Sequence, residues 1–406
     1  MKKGAVLALL ALFLGLAPGA GAAPAKQTAR EQVGKPVEAA EQLIKQKKLK
    51  EALAKLAEAD AVPDKSPYEV YIIEATRAVV DVETADYPAA IKAIEAVLST
   101  GILPPTEALQ RRATLVELAY QAKDFAAVVT DAERYYEAGG EEPAPRLLMA
   151  QAYYLQNDFA DAARASRLVL QNEQKTGKPP SESVLQMLAS SAYKQKDEAG
   201  YVDALKGLVA SHPKQQYWVE LLDAVRRRPS FADRLALDLD RLKAAVGAME
   251  RPEQYMEAAQ LALEAGLPAD AKALLDQGYA AGILGQGAGA ERQRRLADMA
   301  KRESAGDDEG LMRLTRAAEA AANGVSWIKL GDVYASDGRY ERAIAAYQKG
   351  VAKGGLAHPD DAQLHLGVAY LAAKEPEKAR AALAAVSGDD GARDLAQLWL
   401  LESKGE

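Results

Sequence analysis

Three histidines, His212, His358 and His365, are the chain's only imidazoles, and it has no cysteine. Imidazole is the side chain best matched to proton transfer or metal ligation near neutral pH. None of the three belongs to an H-E-x-x-H pair, no G-x-S-x-G turn is present, and no His/Asp cluster has metal-ligand spacing. Lack of cysteine excludes disulfides, thiolate zinc sites and a cysteine-linked lipid anchor. Acid pairs stand at Asp307-Asp308 and Asp389-Asp390, each beside glycine. They could hold a hard cation, but acids in such places ordinarily cap helices or solvate turns. Gly285, Gly287 and Gly289 precede Arg292, Arg294 and Arg295. A phosphate cradle would use N–H groups at a helix N-terminus with arginines behind them. No strand precedes this stretch and no Gly-Lys-Ser/Thr closes it, so a flexible loop or hinge is the ordinary reading. Two distant carboxylates could still meet in a groove as a hydrolase pair. The expectation is a chain that is not an enzyme, with no cofactor and no metal.

The elements carrying these residues read as helices. Apolar residues make up 49% of the 406-residue chain and aromatics 6%, with alanine prominent. That composition favours helix, and no long Val/Ile/Thr alternation points to sheet. The formal charge is −7, which argues against a polyanion or nucleic-acid surface. The basic run Arg226-Arg227-Arg228 lies among acids on a helical segment and reads as a solvated face.

The opening MKKGAVLALLALFLGLAPGAGAAPA has Lys2 and Lys3, then an apolar run from Ala5 to Ala17, then Ala20-Gly21-Ala22. The run is too short to span a bilayer comfortably, and the pattern is that of a cleaved signal peptide over 1–22. Loss of the two lysines takes the charge from −7 to −9. The expected location is periplasmic, with a polar, loose segment over 23–35 and no membrane segment after cleavage.

In SWIKLGDVYASDGRYERAIAAYQKG (326–350), Trp327, Leu330, Gly331 and Tyr334 share one helix face. Gly331 lets a second helix approach closely. Asp337-Gly338 turns the chain, and Tyr340, Ala343 and Tyr347 start the partner helix. Leu366-Gly367-Val368-Ala369-Tyr370 repeats the first part 36 residues later. The small residue of the second helix recurs at Ala52, Ala90, Val128, Ala162, Ala204, Ala271, Ala343 and Ala379, at spacings of 38, 38, 34, 42, 67, 72 and 36. The two long intervals each hold a hidden unit, near 217–248 and 290–321. The count comes to about ten helix pairs with a capping helix from Ala392 to Leu401. Hairpins of this kind bury their apolar faces only by stacking, and a break at the glycine-rich stretch divides an array over 36–283 from one over 284–406.

The order W-x2-L-G-x2-Y followed by a small residue and an aromatic resembles the tetratricopeptide repeat (TPR). The resemblance implies an all-α fold, a right-handed α-solenoid, whose first helices line a concave groove for a protein or peptide. Carried over by position, that groove takes Gln151 and Tyr154; Lys329, Asp332 and Ser336; and Leu364, His365 and Val368. The lysine-and-asparagine clamp for C-terminal carboxylates is not reproduced. The C-terminal run, with Gly354-Gly355-Leu356, Leu366-Gly367…Tyr370 and Gln397-Leu398-Trp399-Leu400, and the central Gln216-Tyr217-Trp218, also look like periplasmic TPR proteins that accompany TonB energy-transducing systems. That likeness implies a non-enzymatic interaction scaffold in TonB-linked transport. The competing role is in polysaccharide export or outer-membrane protein maturation. Oligomeric state is left open.

Overall fold

The computed structural model describes residues 28–305 and 308–403. The expected signal peptide lies outside them, as does Asp307. The described residues hold 21 α-helices and no strand, as the composition and the repeat require. They form two compact units, divided between Gln195 and Lys196. The glycine-rich stretch, expected to divide the chain near 283, lies inside the second unit.

The first unit contains α1 (Glu31–Lys45), α2 (Leu49–Asp60), α3 (Pro67–Glu83), α4 (Tyr87–Ser99), α5 (Pro105–Gln121), α6 (Phe125–Glu137), α7 (Pro143–Leu155), α8 (Phe159–Lys175) and α9 (Glu182–Gln195). Its beginning differs from the loose lead-in expected over 23–35. Residues 31–35 are already helical, with Val33 fully buried. Arg30 anchors that start: its Nε donates to Glu69 Oε1 at 2.8 Å and its Nη2 to Oε2 at 2.9 Å. The hydrogen bonds from Arg30 pull the Glu69 carboxyl down to about 2 against its burial.

The second unit contains α10 (Glu198–Ser211), α11 (Gln215–Arg226), α12 (Ala236–Ala245), α13 (Pro252–Glu264), α14 (Pro268–Ala280), α15 (Ala290–Glu303), α16 (Asp308–Ala320), α17 (Val325–Ser336), α18 (Tyr340–Lys353), α19 (Pro359–Ala372), α20 (Pro376–Ala384) and α21 (Ala392–Glu402). The two hidden units fall on α11–α12 and α15–α16.

One turn recurs in both units. Lys47, Ala85, Lys123, Asn157, Gly266, Gly338 and Lys374 take left-handed φ between +58° and +75°. The next N–H then returns to a carbonyl in the helix just ended, as from Asp124 to Ala119 at 3.0 Å and from Arg339 to Tyr334 at 2.8 Å. This satisfies carbonyls that a helix end leaves open. In three hairpins the same residue starts the second helix: Asp86, Asp124 and Asp158 accept from the N–H of Ala89, Ala127 and Asp161. Five residues after the left-handed position comes the small residue at the crossing, and Ala52, Ala90, Val128, Ala162, Ala271, Ala343 and Ala379 are all fully buried. Ala204 is the exception. It lies eight residues after the left-handed Lys196, not five.

The second unit closes on itself. Helix α21 packs on α19 and α20, as a cap would, and also on α10 and α12 at the unit's beginning. The unit's last helices thus meet its first.

Candidate functional site

A pocket of about 770 Å³ opens within the second unit, lined by α12, α14, α17, α18, α19, α20 and α21. One end is polar, with Asp238, Arg241, Asp270, Ser336 and His365. The other is apolar, with Val368, Leu371, Ala372, Pro376 and Trp399. The size suits a few residues of peptide or a small molecule.

The polar end is a chain of side chains from five helices. Tyr347 Oη on α18 donates to Asp332 Oδ1 on α17 at 2.8 Å. His365 Nδ1 on α19 lies 2.8 Å from that same oxygen, and its Nε2 lies 3.1 Å from Asp238 Oδ1 on α12. Arg241 donates through Nη1 to Asp238 at 2.9 Å and through Nε to Asp270 on α14 at 2.8 Å. The Asp270 N–H donates to Ser336 Oγ at 2.9 Å. Burial disfavours charge on His365, but Asp238 and then Asp332 outweigh it and hold the imidazole's pKa well above its ordinary value. Burial pushes the Asp238 carboxyl up; His365 and Arg241 outweigh it and hold it at about 2. Burial and the Asp332 charge raise the Tyr347 phenol. Apart from His365 Nε2, which makes no hydrogen bond, these groups are paired with one another, and the arrangement is a braced wall rather than an acid–base pair poised on an open space.

Asp332 and His365 were selected from sequence and the structure brings them into contact. Lys329 shares α17 but stands exposed. Ser336 and Val368 line the pocket, whereas Leu364 is fully buried core, so its assignment to a groove is corrected. Gln151 and Tyr154 sit on α7 of the first unit, both half-buried. Tyr154 Oη is engaged with Ser190 Oγ of α9 at 2.7 Å, and its ring packs edge-on against Phe159. Sequence reasoning missed Asp238 and Arg241. Their spacing of three on a helix was the available signal, but α12 lies in a helix pair without the repeat motif.

The other chemical candidates resolve into packing. Among the described residues no group of three or more His, Asp or Glu is arranged to hold a metal ion. His358 is exposed at the start of α19. Gly285 N–H, which a phosphate cradle would need, donates to Gln293 Oε1 at 2.8 Å. The arginine run and the acid pair, both expected to face solvent, are in part ion-paired to one segment or the other. Arg228 pairs with Asp394, and Arg234 with Asp390 and Asp361.

Residues 361–388, most of α19 and all of α20, match the tetratricopeptide repeat family. No curated protein matches the chain. Solved structures with similarity include the TPR2AB-domain:pHSP90 complex of yeast Sti1, at 14% identity over 73% of this chain and 99% of that one, with a TM-score of 0.25. Another is Naa15/Naa10 bound to HypK-THB, at 16% identity over 92% of this chain and 67% of that one, TM-score 0.32. A third is yeast Tom70, at 11% identity over 91% of this chain and 95% of that one, TM-score 0.19. None superposes closely, and what they bind says nothing about this chain. The helix hairpins, their shared turn and buried crossing residue, and the matched repeat form a fold that supports protein–protein interaction. Within the chain, residues 361–388 form a tetratricopeptide repeat.

Proposed function

We propose that the chain is an exported, non-catalytic interaction scaffold of the cell envelope, and that its second unit receives a segment of a protein partner in the pocket beside His365. The observation that carries this reading is the pocket itself. It is about 770 Å³, walled by helices, with largely paired polar groups and apolar side chains in its lining. Such a site binds by shape and a few polar contacts. Export rests on the opening 22 residues, and the C-terminal resemblance favours TonB-linked transport over polysaccharide export or outer-membrane protein maturation.

A photoreactive amino acid at Val368, inside the pocket, tests the reading against one at Glu341, exposed on α18. Crosslinking from Val368 to TonB-system components supports the proposal. Export or assembly proteins at that position would move the process. Adducts from Glu341 with none from Val368 would remove the pocket from the site. Mass spectrometry of the mature protein should find an N-terminus at Ala23.

A further inference from the structure

The geometry around His365 decides its charge. Each ring nitrogen faces a carboxylate oxygen, Asp332 at 2.8 Å and Asp238 at 3.1 Å. A neutral imidazole has one N–H and one lone pair. The ring hydrogen-bonds through Nδ1 to Asp332, and Nε2 stands close to Asp238 without hydrogen-bond geometry, so two carboxylates at this range favour the imidazolium by charge. The two acids come from distant stretches, Asp238 from α12 near the start of the unit and Asp332 from α17. The charged and titratable groups around the ring are Asp238 and Arg241 of α12, Asp270 of α14, Asp332 of α17 and Tyr347 of α18. Lys374 and Glu402 also line the pocket. Without the ring's proton, three carboxylates would share one cation, Arg241.

The same two parts of the unit meet again further out. Arg228 and Lys206 pair with Asp394 at the start of α21. Arg234 forks onto Asp361 at 2.7 and 3.0 Å and reaches Asp390. The Ala232 N–H donates to the Asp390 carbonyl at 2.8 Å. Phe231 also covers Gly391, where a Cβ would stand 2.6 Å from the ring. The seam between α10–α12 and α19–α21 thus carries a row of ion pairs beside the apolar residues that α21 buries, and it runs along the pocket, since Asp238 and Trp399 both line that pocket.

We propose that the second unit opens and shuts at this seam, held shut by an electrostatic clasp with His365 at its inner end and Arg228 and Arg234 at its outer end, and that the pocket admits or releases its occupant as the clasp yields. The last clause rests on the pocket being the partner site; the opening does not. Single exposed ion pairs contribute little, but a row of half-buried pairs with a forked arginine is a unit that salt and alkali weaken together.

The native chain has no cysteine, so spin labels can be placed at will. Arg227→Cys and Asp389→Cys put labels on exposed residues on the two sides of the seam. Double electron–electron resonance on the full chain should give one short, narrow distance at about pH 6 and about 0.1 M salt. A longer, broader population should grow in about 1 M salt, where the screening length falls from about 10 Å to about 3 Å. It should also grow at alkaline pH and in Asp390→Asn/Asp394→Asn, with helix content by circular dichroism unchanged. His365→Gln should remove the pH response and leave the salt response. An unchanged distribution in high salt and in the double variant overturns the clasp. Distances that respond while crosslinking from Val368 does not would overturn the pocket reading and leave the clasp standing.

Discussion

At Gly331 one methyl group decides whether two helices can meet. A Cβ there would stand 2.5 Å from the Tyr347 ring, whose hydroxyl is tied to Asp332. Gly331→Ala should therefore destabilise the protein by about 1–3 kcal/mol. Gly34 in α1 is the contrast: its Cβ would meet only Ala29, at 3.8 Å, so Gly34→Ala should stabilise by about 0.5–1 kcal/mol. Thermal or urea unfolding measures both, and a Gly331→Ala protein as stable as the parent would refute the close approach. Trp327 is less of an anchor than its motif suggests. It is half-buried, with the Lys349 ammonium 4.4 Å above its ring, so Trp327→Ala should fall below the roughly 3–5 kcal/mol of a fully buried aromatic. Two buried groups give pH dependence. His365 has its pKa raised on folding, so its stabilisation is complete below the ordinary histidine pKa and is lost as pH rises toward the folded value. The stability gap between the native protein and His365→Gln should narrow across that rise, by up to about 1.4 kcal/mol per pH unit. Asp81 on α3 has the opposite consequence. It is 5% exposed, its Oδ2 has no partner, and burial raises its carboxyl to about 6. The native state binds the extra proton, so stability falls as pH climbs from about 4 to about 6. Asp81→Asn should remove that fall, stabilising by about 1–3 kcal/mol at neutral pH and little below pH 4.

At the scale of the element, the left-handed turn residue is the most exchangeable part of a hairpin. Lys374 at φ +60° carries a Cβ into a region that glycine enters freely, whereas Gly338 holds the equivalent place one hairpin earlier. Lys374→Gly should stabilise by a few tenths to about 1 kcal/mol, and Gly338→Ala should destabilise by about 1 kcal/mol; paired denaturation curves would show whether the signs differ. This local logic explains what could be read from the sequence. A turn and the small residue five positions later are both set within a dozen residues, so the repeat and even the units lacking the motif were legible. The helix start at Glu31 was not, because its anchor, Glu69, is 39 residues away. Asp332 and His365 were legible as positions on first helices, but not as partners. Asp238, Arg241 and the clasp were illegible for the same reason: Arg234 and Asp361 are 127 residues apart and Lys206 and Asp394 are 188 apart, and no local pattern records such a pairing.

At the scale of the whole molecule, the two units should answer differently to loss of their ends. In an open solenoid each hairpin depends on its neighbours, and removing the last helix frays the stack from that end. The second unit is not open. Helix α21 buries Ala392, Leu395, Ala396, Leu398 and Trp399 against helices from both its end and its beginning. Burial of each large apolar side chain contributes about 1.5–3 kcal/mol, and three are large, so the sum is comparable with a domain's whole margin of about 5–15 kcal/mol. Ending the chain after Gly388 should therefore unfold the second unit broadly rather than fray α19 and α20. Hydrogen exchange by mass spectrometry on the full-length and shortened proteins would distinguish these outcomes. Protection should be lost in α10–α12 as well as in α19–α20, while the amides of α3–α6 in the first unit keep theirs. Loss confined to α19 and α20, with α10–α12 still protected, would mean that the unit stacks as an open array and that α21 is only its cap.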